Sequence, residues 1–285
     1  MKPLAFLCTL VLCLSLAACA QTPSAGTTVP TTAPTAASTT VPPNPTTKTV
    51  YVHTSVTSTS DTMDARTDYL YDFNNCLTEV IQYSGTTQTQ RYTVSCDENG
   101  NFIRWEATVG PLELYIEYAY DEQGNKLGNS LYQSGELMSQ TVYTLENGVH
   151  TDVLSIMPAQ NREIRTQYTY NSQGTRVRED HLLNNVLLRY GIYTTDDQGR
   201  VASISFYQAD GTAHSTVSYS YDGLTETQIA KNAAGEMQQK TVTTYDDHGN
   251  LLCKQVYDGQ NTLVSTETHT WMAITVPFDC PRASA

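Results

Sequence analysis

The sequence predicts an all-β protein: tandem antiparallel β-hairpin repeats, with a period of about 25 residues, forming a curled meander sheet. Three observations predict it. Glycine recurs on a fixed spacing, the chain is rich in Thr and Tyr, and apolar and polar residues alternate between the glycines. Of 285 residues 43 are Thr and 19 are Tyr. Both types favour strands, whereas the stretches rich in Ala, Leu, Glu and Lys that build helices are scarce.

Each element follows from the punctuation. Gly100, Gly124, Gly148, Gly174, Gly199, Gly223 and Gly249 form one series, stepping by 24 to 26 residues. Gly85, Gly110, Gly135, Gly211, Gly235 and Gly259 form a second, filled near the expected places by Asn161 and Asn185. Gly and Asn tolerate positive φ, so each mark is a turn. Fifteen turns imply about 16 short strands, more than a twisted open sheet carries without curling. Leu114, Ile116, Tyr118 and Tyr120 share one face of such a strand, and Glu113, Tyr115, Glu117 and Ala119 share the other. Ile164, Tyr168 and Tyr170 likewise oppose Arg165, Gln167 and Asn171. Alternation of this kind describes half-buried antiparallel strands. The Tyr-lined face is therefore expected to be concave or packed on itself.

The N-terminus reads as an address, residues 1–18. Met1 and Lys2 precede an apolar run from Leu4 to Leu16. Thirteen residues make about 20 Å of helix, short of the roughly 30 Å a bilayer core requires. That length suits a signal peptide and not a membrane span. The run ends in Leu16-Ala17-Ala18-Cys19, which resembles the bacterial lipoprotein signal. The resemblance implies cleavage before Cys19, lipidation of Cys19, and a membrane as partner through the acyl anchor. The alternative is an ordinary secretory cleavage site. Residues 19–48 then form a Thr/Pro/Ala-rich spacer, too poor in apolar surface to order itself, and the β-repeat domain spans 49–285.

Tyr245-Asp246-Asp247-His248-Gly249-Asn250-Leu251 carries a phrase that recurs at Tyr120-Asp121-Glu122-Gln123-Gly124-Asn125 and Tyr170-Asn171-Ser172-Gln173-Gly174. Weaker copies stand at Asp196 to Gly199 and at Tyr219 to Asp222. This looks like the YD-repeat, or RHS-repeat, family over roughly residues 69–271. The resemblance implies an antiparallel β array on a bacterial surface; large members form shells around secreted toxins, and some carry a carbohydrate-binding label. Read physically, the phrase is structural. Asp121 and Asp246 cap their turns as Asx-turns while glycine supplies positive φ. Calcium would need alternating carboxylate ligands, which the phrase lacks.

The formal net charge is −13, which excludes a nucleic-acid partner. The six His stand at 53, 150, 181, 214, 248 and 269 without metal-ligand spacing, and no nucleophile or phosphate-loop motif occurs. No catalytic residue, cofactor or metal is assigned. Cys76 and Cys96 are equidistant from Thr86, beside the Gly85 turn, so a simple hairpin sets them opposite each other as a disulfide candidate. Cys253 and Cys280 are the second candidate pair; the alternative is four buried thiols.

The expectation is a surface-anchored, extracytoplasmic lipoprotein acting as a non-enzymatic binding, adhesion or structural module. One alternative is a carbohydrate- or cell-wall-polymer-binding protein, favoured by an exposed Tyr strip and disfavoured by buried repeat tyrosines. The other is a fragment of a toxin-associated shell. Glycans and surface proteins are the partners in view.

Overall fold

The computed structural model describes residues 47–60, 63–72, 76–98, 101–109 and 112–277. The chain divides into two units, 1–44 and 45–285, and the described residues lie in the second. The signal peptide, Cys19 and the spacer up to residue 46 fall outside them, as do Gly100 and Cys280.

Eighteen strands follow one another: β1 Thr47–Ser60, β2 Met63–Tyr71, β3 Leu77–Ser84, β4 Thr87–Cys96, β5 Phe102–Val109 and β6 Leu112–Tyr120. Next come β7 Lys126–Gln133, β8 Glu136–Glu146, β9 Val149–Met157, β10 Arg162–Tyr170, β11 Arg176–Leu183 and β12 Val186–Thr195. The last six are β13 Val201–Gln208, β14 Ala213–Asp222, β15 Thr225–Asn232, β16 Met237–Tyr245, β17 Leu251–Asp258 and β18 Leu263–Pro277. Thr47 and Lys48, which composition places in the spacer, begin β1.

Every strand pairs antiparallel with its neighbours in sequence, and β1 also pairs with β18 from Thr47↔Pro277 to Ser60↔Ser265. The sheet is therefore a closed barrel, which corrects the open, curled meander expected from the glycines. The physical reason lies in β1. Its Thr/Val/Ser alternation carries no glycine mark, yet its 14 residues pair with β18 over their length. Closure removes both edges, each a row of unpaired N–H and C=O groups.

The turns hold the φ that L-residues avoid. Ten glycines of the two series, from Gly85 (φ 57°) to Gly249 (φ 83°), have positive φ, and so do Asn161 and Asn185. At the Gly259 turn Asn261 takes that conformation instead, at φ 61°.

Alternation sorts the side chains into an inner and an outer row. Along β6, Leu114 is buried and Ile116, Tyr118 and Tyr120 are half-buried, whereas Glu117 and Ala119 are exposed. Eighteen strands enclose far more width than the eight whose side chains meet and fill the interior. Consistent with this, most of the inner row is only half-buried. Full apolar burial concentrates on β3 to β6, at Leu77, Val80, Ile81, Val94, Trp105, Ala107 and Leu114.

The outer row is mainly polar, with scattered exposed apolar residues such as Leu70, Val142 and Met272. Arg66–Asp68 at 3.0 Å, Arg104–Glu117 at 3.0 Å, Arg165–Asp152 at 3.4 Å and Arg178–Asp180 at 2.7 Å are ion pairs along or across strands. Outer tyrosines stack in cross-strand pairs, Tyr115 on Tyr132 at 4.8 Å and Tyr190 on Tyr207 at 5.2 Å, with Arg104 and Arg178 laid over them. Each exposed ion pair contributes at most about 1 kcal/mol. Together they mark an outer wall built for water, since a lipid-facing barrel wall would be apolar.

Candidate functional site

One end of the barrel carries the repeat phrase. In the β6–β7 turn Asp121 Oδ1 accepts from the backbone N–H of Gln123 at 3.0 Å and of Asn125 at 2.8 Å, while Oδ2 accepts from Asn125 Nδ2 at 2.8 Å. Asp246 repeats this with His248, Asn250 and Asn250 Nδ2 at 2.9, 2.8 and 2.8 Å. Asn171 and Asp196 cap the Gly174 and Gly199 turns in the same way. The Asn125 hydrogen bonds hold the Asp121 carboxyl below the usual carboxylate range. Turn amides thus occupy the carboxylate oxygens. Asp246, Asp247 and His248 bring three ligand atoms within 4.8 Å of one another, but His248 Nδ1 lies on Asp247 at 2.7 Å and His248 Nε2 on Tyr51 Oη at 2.9 Å. Turn capping accounts for that group.

Just inside the turns, one inner position recurs in every hairpin. The last inner residue of each even strand pairs with the first inner residue of the next odd strand: Tyr71↔Leu77, Cys96↔Phe102, Tyr120↔Lys126, Leu145↔His150, Tyr170↔Arg176, Thr195↔Val201, Tyr221↔Glu226 and Tyr245↔Leu251. At the seam between β18 and β1 the same place is taken by Trp271↔His53. A bulge accompanies the pair in all of these except Tyr221↔Glu226. The aromatic member often reaches one strand back. Tyr71, Tyr170 and Tyr221 hydroxyls donate to the carbonyls of His53, His150 and Val201 at 2.7 to 2.9 Å, and Trp271 Nε1 donates to Leu251 at 2.8 Å. The odd-strand positions run 53, 77, 102, 126, 150, 176, 201, 226, 251, which is the repeat period itself. Reading the fifth residue after each turn Asp or Asn would have flagged Lys126, Arg176, Val201 and Leu251; glycine spacing alone did not.

The ring is chemically uneven. Lys126, His150 and Arg176 fall at consecutive places, on β7, β9 and β11. Lys126 Nζ lies 4.5 Å over the Tyr118 ring and 5.6 Å over Tyr143. Tyr143 meets His150 with ring centroids 5.1 Å apart. The Arg176 guanidinium sits 4.0 Å over Tyr168 and 5.8 Å from both Tyr170 and Tyr193. Beside it Glu179, only 8% exposed, accepts from the Tyr193 hydroxyl at 2.6 Å and pairs with His181 Nε2 at 2.9 Å. Burial pushes the Glu179 carboxyl up, but those two hydrogen bonds hold it below its ordinary range. Gly191 makes the room, since a Cβ there would stand 3.1 Å from Glu179 Cγ and 3.0 Å from Phe206.

The seam carries a second polar group. Glu267 Oε1 lies 2.7 Å from His269 Nε2, and His269 Nδ1 lies 2.9 Å from His53 Nε2. Tyr69 and Trp271 stack on the His53 ring at 4.6 and 4.5 Å. Burial, with the His269 ring beside it, lowers the His53 pKa to about 4. Spacing had not linked these histidines because they lie 216 residues apart and meet only through closure.

The β3–β4 pairing runs from Ser84↔Thr87 to Glu79↔Thr93, short of Cys76 and Cys96, and the Cys96 thiol lies 3.8 Å from the Leu77 carbonyl oxygen. Cys76, Cys96 and Cys253 are carried as thiols. Cys253 pairs with Thr244 and Thr268 on its two sides.

No family model and no curated relative matches the chain. Among solved structures it is similar to the TcdB2–TccC3–Cdc42 complex, at 13% identity and a TM-score of 0.38, over 75% of this chain but 15% of that one. It is also similar to porin-like proteins from Bacteroides vulgatus (12% identity, TM-score 0.35, 76% of this chain and 97% of that one) and Bacteroides uniformis (11%, 0.30, 77% and 98%). These likenesses are remote, so the functional reading rests on the chain's own residues.

Proposed function

We propose that this chain is a surface-tethered bacterial lipoprotein whose closed β-barrel is a non-enzymatic binding or adhesion module. The observation that carries the reading is the polarity of the wall. Its outer row is laced with ion pairs and cation-covered tyrosines, so the barrel stands in water and needs another device to stay at a membrane. The Leu16-Ala17-Ala18-Cys19 motif supplies one. β1 starts and β18 ends at the turn-phrase end. Changing Cys19 to Ala is expected to move the protein from the membrane fraction to the soluble one with the barrel still folded. An unlipidated mature N-terminus in the wild-type protein, found by mass spectrometry, contradicts the tether.

The carbohydrate-binding alternative takes its support from the inner row. Tyr170 and Tyr219 are half-buried, leaving ring surface within the barrel on which a sugar could stack, whereas His53, Lys126 and Arg176 each cover a face of Tyr69, Tyr118 and Tyr168.

A further inference from the structure

We propose that the inner wall over β7 to β11 holds an oxyanion-binding site, formed by Lys126, His150 and Arg176, for a ligand bearing a phosphate or carboxylate group. This goes beyond the tethered-barrel reading and does not depend on lipidation.

The ring supplies its own controls. Five other places are apolar or aromatic-imidazole, at Leu77, Phe102, Val201, Leu251 and His53, and one is acidic, at Glu226. Three consecutive places carry basic residue types, although acidic residues outnumber Lys and Arg in the chain by 29 to 16. Alternate strands lie about 10 Å apart, and the long Lys126 and Arg176 side chains lie against β8 and β10, the strands on either side of His150.

The arginines divide by face. Outer Arg66, Arg104, Arg165 and Arg178 each meet a carboxylate within 3.4 Å. Among the described residues Arg176 has no ion-pair partner. It donates a long hydrogen bond of 3.4 Å to the Tyr170 hydroxyl and also meets the Tyr193 hydroxyl, while its Nε–H is buried without an acceptor. His150 Nδ1 is also buried without a partner. Both atoms lose hydration and gain no protein bond, a cost a native fold normally avoids. An oxyanion between them would accept from Arg176 Nε and from the imidazole at once, in the charge-assisted geometry that favours arginine. Tyr143 meets both Lys126 and His150, and the Tyr170 hydroxyl, which accepts from Arg176, donates to the His150 carbonyl, so the three groups line one continuous patch of wall. Tyr193 and His181 occupy the oxygens of the buried Glu179, so that carboxylate does not take the Arg176 Nε–H.

The test follows the His150 ring by NMR in the full chain while inorganic phosphate, glucuronate or glucose is added. Phosphate or glucuronate is expected to shift the His150 signals saturably, and the stronger of the two identifies the phosphoester or sugar-acid source; glucose is expected to leave them unmoved. Arg176→Gln should weaken the response at least tenfold, and the outer Arg178→Gln should leave it unchanged. Should Arg176→Gln fail to fold, Lys126→Gln carries the same expectation. No shift with either anion, an equal shift with glucose, or equal loss in Arg178→Gln overturns the proposal.

Discussion

At Gly249 the backbone holds φ at 83°, and the space around a Cβ there is open. The cost of a side chain at this residue is therefore conformational and not a clash. Gly249→Val is expected to destabilise by roughly 1 kcal/mol or more. Replacing exposed Gln198 by Ala should stay within about 0.5 kcal/mol, because only its backbone N–H serves the Asp196 turn. Urea unfolding of both variants measures the contrast. Titration adds a second residue-scale expectation. His53 has a folded pKa of about 4, below the ordinary 6.5, so the unfolded chain binds the proton first. Stability is then present above about pH 6.5 and is lost as the pH falls toward 4. The neighbouring Glu267 carboxyl, held low chiefly by His269, acts in the same direction. Because His53 is part-exposed, the loss is discounted to roughly 1 to 2 kcal/mol. A His53→Gln variant should flatten this part of the pH–stability curve; an unchanged curve contradicts the seam assignment. The turn chemistry at Asp121 and Asp246 was legible because it is local in sequence. The His53–His269 contact was not, since no local pattern joins residues so far apart.

At the scale of the element, the hairpins follow turn residues faithfully, and the departures are instructive. Fifteen glycine and asparagine marks gave about 16 strands where 18 exist. The two connections missed, β1–β2 and β2–β3, contain no glycine, and the second uses Asp72, whose carboxylate accepts from the Cys76 N–H at 2.8 Å. Gly128 and Gly191 lie inside strands for packing reasons, a Cβ at Gly128 standing 2.2 Å from the Thr141 carbonyl oxygen. The candidate pair Cys76 and Cys96, flanking the β3–β4 hairpin, carries its own expectation. Mild oxidation should link Cys76 to Cys96, detected as a joined peptide after digestion, and the link should stabilise by about 3 kcal/mol for a loop of this length. Recovery of the two cysteines in separate peptides argues against the pairing.

Across the whole molecule, closure determines what the chain can do. It turns a repeat with two sticky edges into a wall with an inside, and it places nine equivalent inner positions in one ring. The period of that ring was present in the sequence, but its closure was not, because pairing of β1 with β18 spans nearly the whole described chain and no local pattern encodes it. Hydrogen exchange on the intact protein tests closure most directly. Ser55 to Ser60 pair with both β2 and β18, and Ser265 to Thr268 pair with both β17 and β1. Closure predicts that successive amides in these two segments are all protected, to the level of an interior strand such as β11. Unprotected exchange at every second amide of β1 and β18 is the mark of two free edges, and that result would contradict the barrel.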